Sequence, residues 1–153
     1  MPKWVFHHTA GTFTVEDKHR IANGMVEIYK TIGLPAFYCH AHFFELPENS
    51  IFAGGEYPSH PSAFLTTLSI YHIAQGFPNR EASEGFLKAL DSILRPILKL
   101  KKAEWELAIY EANRDYWRVN GLMAPETGSD MEKKWAAANQ VTDEEQLLHA
   151  QGY

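Results

Sequence analysis

Residues 2–8 alternate, with Trp4, Phe6 and His8 on one side and Lys3, Val5 and His7 on the other. A period of two predicts a strand at the very start of the chain. Thr14 and Asp17 resemble a capping box, with Asp in the place usually held by Glu or Gln. Behind them Val15, Ile21, Met25, Ile28, Tyr29 and Ile32 recur at helical spacing, so a helix is expected over 15–32, closed by Gly33 and Pro35. The aromatic run 36–45 predicts a second strand that stops at Pro47, followed by a brief strand near 50–53. Gly54-Gly55, Pro58 and Pro61 mark turns, and 63–73 reads as a third long strand. Pro78-Asn79 opens a second helix with an apolar stripe through Phe86, Leu87, Leu90, Ile93, Leu94, Ile97 and Leu98. Pro96 lies inside that stripe and should kink or end the last turn. Trp105, Leu107 and Ile109 then share one face of a fourth strand over 104–111.

The halves repeat, because helix starts and the strands after them recur at offsets of about 65 residues. Two consecutive β-α-β units predict an α/β (α+β) fold, with one four-stranded sheet carrying both helices on one face. The strands are apolar on both sides, so the other face needs a cover, and other subunits are the expected one. Residues 114–121 are too rich in large aromatic and polar groups for a linker. Ser129-x-x-Glu132 and Thr142-x-x-Glu145 each predict a short helix. The expectation is a single domain over 1–153, with a core at 2–125 and a helical extension at 126–153.

A length of 153 residues suits one such domain. The net charge is −5, and the 14 Lys and Arg residues form no long block, which argues against nucleic-acid and anionic-membrane partners. No apolar run approaches a membrane span, and the start turns polar too early for a signal peptide. Cys39, alone, permits no internal disulfide, so a cytoplasmic protein is expected. The signatures GxGxxG, GxxxxGK[ST], GxSxG, HExxH and CxxC are missing. His40 and His42 share a strand face, and His7, His8, His60 or His72 could join them as metal ligands. No carboxylate or cysteine stands at tight ligand spacing with them.

Pro2 is the unusual position. An initiator methionine is normally trimmed before a residue as small as proline, and trimming would leave a secondary amine on the first residue of a strand. Burial among Trp4, Phe6 and other apolar groups would favour the neutral amine. Such an amine can shuttle a proton or attack a carbonyl. The Pro2 start, Thr14 and Lys18, Phe43-x-Glu45-x-Pro47 and Ile51-Phe52-Ala53-Gly54-Gly55 occur here in order. With the doubled β-α-β pattern, that set resembles the tautomerase superfamily, in particular the cis-3-chloroacrylic acid dehalogenase branch and its fungal and bacterial relatives of unassigned activity. Asn79-Arg80-x-x-Ser83 is similar to the second-helix start of the macrophage migration inhibitory factor branch.

The resemblance implies a homotrimer without metal or organic cofactor. It also implies Pro2 as catalytic acid or base on a small 2-keto or unsaturated carboxylic acid, and Arg80 as the clamp for the carboxylate. Tyr29 falls where the dehalogenase branch has a histidine, and no arginine stands at the end of the third strand, where His72 is the polar candidate. Tyr110, Glu111 and Asp115 lie in the region that supplies further site residues, while Trp117 and Asn120 are expected to shape the wall. These departures favour keto–enol tautomerisation over dehalogenation. A non-catalytic binding or signalling protein on the same scaffold is the alternative, and a retained Met1, by making Pro2 an amide, would select it.

Overall fold

The computed structural model describes residues 1–47, 50–53, 55, 64–73 and 76–152. Gly54, Pro58, Pro61 and Ala63, together with the candidate ligand His60, lie outside the described residues. Strands β1 (Pro2–Thr9), β2 (His40–Leu46), β3 (Leu65–Ile73) and β4 (Glu104–Ala112) form one sheet in the order β2-β1-β3-β4. β2 is parallel to β1 and β4 to β3, while β1 and β3 run antiparallel at the centre. Helix α1 (Val15–Lys30) crosses from β1 to β2, and α2 (Arg80–Leu100) from β3 to β4. The two β-α-β units therefore close into a single sheet, as the repeat predicts.

The alternation becomes burial. Trp4 and Phe6 of β1 meet Leu68 and Ile70 of β3 under Ile21, Met25 and Tyr29 of α1 and Leu90, Leu94 and Leu98 of α2. Each large apolar side chain enclosed in this way contributes about 1.5–3 kcal/mol. On the other sheet face Lys3, Val5, His7, Tyr71 and Ile73 are only half-buried, and Phe44 and Tyr110 are exposed. A second cluster joins Tyr38, Trp117, Leu122 and Trp135, and ties helices α3 (Asp130–Ala138) and α4 (Glu144–Ala150) to the edge of the domain. Between them and the sheet runs a small ribbon, β5 (Arg118–Val119) with β6 (Leu122–Met123). No helix among the described residues is long and apolar enough to cross a membrane.

The caps behave as their chemistry asks. Thr14 and Asp17 form a reciprocal capping box on α1, and the Asn79 side chain accepts from the Ala82 amide to start α2. Ser129 caps α3, although the Glu132 carboxylate turns to the Gly128 amide instead of the cap.

Several expectations need correction. Residues 36–38 are a 3-10 turn, not the start of the second strand, because Tyr38 is drawn down onto Trp117 and Trp135 of the second cluster. α1 ends at Lys30 with Thr31 as its cap, and Gly33 follows at φ +79°. α2 does not end at Pro96 but runs four residues further, to Leu100, because Ile97 and Leu98 are anchored in the core. The brief strand at 50–53 reduces to an isolated bridge at Ala53. α4 starts after Asp143, whose carboxylate accepts from the Thr142 hydroxyl and leaves Thr142 no part in capping.

Candidate active site

The antiparallel register of β1 and β3 sets Pro2 directly opposite His72. Pro2 has no amide hydrogen to give the ladder, and it is tolerated here because it is the first residue of its strand. Its side chain is buried. Met1 lies beyond it, donating its ammonium to the Ile73 carbonyl at 2.7 Å and accepting from the Ile73 amide at 3.2 Å. Burial pulls that ammonium down from 8.0 to about 5. An amine at this end of β1 is thus strongly disposed to be neutral.

Tyr29, near the end of α1, reaches back over the sheet. Its hydroxyl lies 2.7 Å from His72 Nε2 and accepts from Trp4 Nε1–H at 3.1 Å. Burial holds His72 at about 4, so the imidazole is neutral near pH 7, and burial pushes the Tyr29 phenol well above its ordinary value. An indole nitrogen only donates. The assignment that spends each group therefore has Trp4 donating to Tyr29, Tyr29 donating to His72 Nε2, and the proton of His72 on Nδ1. Phe77 and Phe86 close over the imidazole, each with its ring centroid 4.9 Å away.

A cavity of about 840 Å³ opens from this point between α1 and α2, and Pro2, Tyr29 and His72 all line it. Its charged lining is Glu27; no Lys or Arg lines it among the described residues. A second cavity of about 390 Å³ lies on the other side of Met1, lined by Tyr38, His40, Trp117, Arg118, Asn120 and Gln140 among others. Met1 lines both, so the first residue stands between the two spaces.

The residues singled out from sequence are only partly gathered. Pro2, Tyr29 and His72 come together. Arg80 opens α2, but its guanidinium is 91% exposed and pairs with Glu84 at 2.7 Å, outside the cavity lining. Tyr110 stacks on Tyr71 on the outward face of the sheet, centroids 5.3 Å apart. Glu111 pairs with His72 in register and accepts from the Phe77 amide at 2.9 Å, fastening the segment that leads into α2. Asp115 belongs to the 3-10 turn 114–116. Trp117 and Asn120 line the second cavity. Sequence reasoning missed Arg118, the arginine that lines this cavity, and the indole of Trp4. Position in the alternating strand had marked Trp4 as buried but not as a donor.

His40 and His42 sit side by side on the edge strand with ring centroids 6.2 Å apart. Among the described residues no three His, Cys, Asp or Glu side chains gather to hold a metal ion. The Cys39 thiol is raised to about 11 by burial, so it is not a thiolate near neutrality.

The chain matches the family model Tautomerase_3, "Putative oxalocrotonate tautomerase enzyme", over residues 1–140. It superimposes on a probable enzyme from the thermophilic fungus Aspergillus fumigatus with a TM-score of 0.85 and 40% identity, covering 93% of this chain and 96% of that one. RhCC from Rhodococcus jostii RHA1 is similar at 28% identity and a TM-score of 0.82, over 92% of this chain and 98% of that one. N1, a member of the cis-3-chloroacrylic acid dehalogenase family, shares the fold at 14% identity and a TM-score of 0.64, over 99% of both chains. No curated protein matches. With its paired β-α-β units and a proline at the head of the central strand, the chain belongs to the Tautomerase_3 family of the tautomerase superfamily and is a tautomerase-like enzyme.

Proposed function

We propose that the mature chain begins at Pro2 and that its secondary amine moves a proton on a small 2-keto or unsaturated carboxylic acid, with keto–enol tautomerisation as the main reaction. The carrying observation is the position of Pro2, buried at the head of β1 and lining the cavity beside Tyr29 and His72. Without Met1 the Pro2 nitrogen is an amine, and burial favours its neutral, basic form. It takes a proton from C3 of the keto acid, and the electron pair of that C–H bond moves into the C2 carbonyl to give an enolate oxygen. Returning the proton to oxygen or carbon completes either direction of the reaction. The Ile73 amide, which otherwise donates to Met1, is then free to donate to the developing oxygen.

Tyr29 and His72 serve as positioning residues. Neither changes charge near neutrality, given the direction in which burial moves each. The substrate carboxylate points to the second cavity, where Arg118 supplies the cation. Hydration, dehalogenation or decarboxylation would be side activities of the same amine. A homotrimer is the proposed assembly: it would cover the half-buried outer face of the sheet, and a fused 4-OT protein that shares this fold is a symmetric trimer. A soluble cytoplasmic protein using no cofactor fits the same reading.

One observation favours the alternative of a non-catalytic binding or signalling protein. Met1 completes the ladder by exchanging two hydrogen bonds with Ile73. Intact mass separates the two readings, since catalysis requires loss of one methionine. In the mature protein, Arg118→Ala should raise KM for phenylenolpyruvate ketonisation about tenfold, with Arg80→Ala changing it far less. The reverse order would return the carboxylate to Arg80.

A further inference from the structure

Gly24 in α1 and Gly85 in α2 both line the space between the helices. A glycine in a helix interior costs stability relative to alanine, so each needs a reason. For Gly24 the reason is close packing, because an added Cβ would come within 2.7 Å of Ile93 Cδ1. For Gly85 no heavy atom of the described residues beyond its own stretch of helix lies within 4 Å of such a Cβ, and its backbone is not in the left-handed region. Neither packing nor geometry asks for glycine at 85. Gly85 is exposed and lines the first cavity on a wall continued by Ala82 and Ala89, so a side chain there would take up part of that space.

That cavity runs from Pro2 and His72 beneath Phe77 and Phe86 towards Ile93. Its volume of about 840 Å³ lies high in the range of sites that enclose whole drug-sized ligands. A keto acid with a short side chain would leave most of it unfilled. Among the described residues no Lys or Arg lines it, and its carboxylate, Glu27, is already taken by Lys30 at 2.8 Å, so the wall offers the carboxylate end no cation. The apolar end remains.

We propose that the substrate is an amphiphilic 2-oxo acid whose alkyl chain, roughly hexyl-sized or larger, lies between α1 and α2 in the room that Gly85 leaves. This rests on the proline chemistry for the direction of the carboxylate, and it adds the class of acid. The first test is calorimetric titration of the mature protein with 2-oxobutanoate, 2-oxohexanoate, 2-oxooctanoate and 2-oxodecanoate. Exchange of the C3 protons with deuterium is followed by NMR in parallel. Kd should fall at least tenfold from the shortest acid to the longest, since every added methylene leaves water. Gly85→Leu should bring the longest acid back to the Kd of the shortest and leave 2-oxobutanoate unchanged. Ala89→Leu on the same wall should act likewise if Gly85→Leu does not fold. A wild-type Kd that does not change with length overturns the proposal, as does a length dependence that survives both substitutions. Length-dependent binding without C3 exchange would overturn the proline chemistry alone. Equal exchange and binding of all four acids would overturn the groove alone.

Discussion

The ladder joining β1 to β3 has a buried histidine at each end, and the two ends differ in what surrounds it. At one end His72 faces Pro2; at the other His8 faces Thr66. Both imidazoles are lowered from their ordinary value, burial being the largest cause for each. His72 lines a cavity, bonded to Tyr29. His8 is fully buried and lines neither cavity, with Phe13 edge-on at 5.0 Å and its Nδ1 turned to the Thr9 carbonyl at 3.0 Å. The Thr12 hydroxyl bonds the same carbonyl and lies 3.0 Å from the Thr9 hydroxyl, while His8 Nε2 finds no partner among the described residues. A depressed histidine is therefore no sign of a site by itself. Reachable space makes the difference: the Pro2 end opens on a cavity, and in the proposed mature chain it would also carry an amine.

The largest expected effect is on catalysis. Pro2→Ala in the mature chain should lower kcat/KM for phenylenolpyruvate ketonisation by about 10²–10⁴-fold, the range of a general acid or base. Thr66→Val, at the closed end, should leave it unchanged. Equal losses at both ends would mean that only folding had been tested.

Next is Tyr29→Phe, which strands the Trp4 indole N–H and His72 Nε2 in a buried place. Unfolding in urea should show a loss of about 1–3 kcal/mol. Stability should also depend on pH. His72 is held at about 4 when folded and returns to 6.5 when unfolded, so between these values the unfolded chain binds more protons. Stability is full above pH 6.5 and falls as pH drops towards 4, by roughly 2–3 kcal/mol. His8 adds a loss of the same sign. His72→Gln should flatten the part of the slope due to that end, and a slope unaltered by it would assign the whole dependence elsewhere. The smallest effect is Thr66→Val itself. The Thr66 hydroxyl is buried without a hydrogen-bond partner among the described residues, so a methyl in its place should raise stability by about 0.5–1 kcal/mol in the same urea experiment.

The pattern of apolar positions carried most of the fold. Trp4, Phe6, Leu68 and Ile70 alternate in sequence and pack in the core as alternation requires. What it could not carry was the pull of distant packing. Residues 36–38 have strand composition, yet form a turn because Tyr38 is wanted by Trp117 and Trp135, about 80 to 97 positions later in the chain. Pro96 breaks isolated helices, but here the buried Ile97 and Leu98 hold the last turn in place. The site divides in the same way. Pro2 was readable as the first residue of an alternating strand, whereas Tyr29 and His72 were reached only through the family resemblance; all three meet at one edge because each sits near the end of a regular element. Arg118 was not, since its place depends on a two-residue ribbon that no periodicity announces. Arg80 was plausible as the first residue of a helix, but its exposed face and its pairing with Glu84 follow from helix rotation, which only the packed structure fixes.

The claim that a buried, uncapped amine drives the chemistry is tested most directly by following the nitrogen of Pro2 through a pH titration, by ¹⁵N NMR of proline-labelled protein. The account predicts an amine resonance that titrates with a midpoint below the ordinary α-amino range of about 7.7–8.0. An amide resonance that does not titrate, or an amine with a midpoint at or above that range, would contradict it.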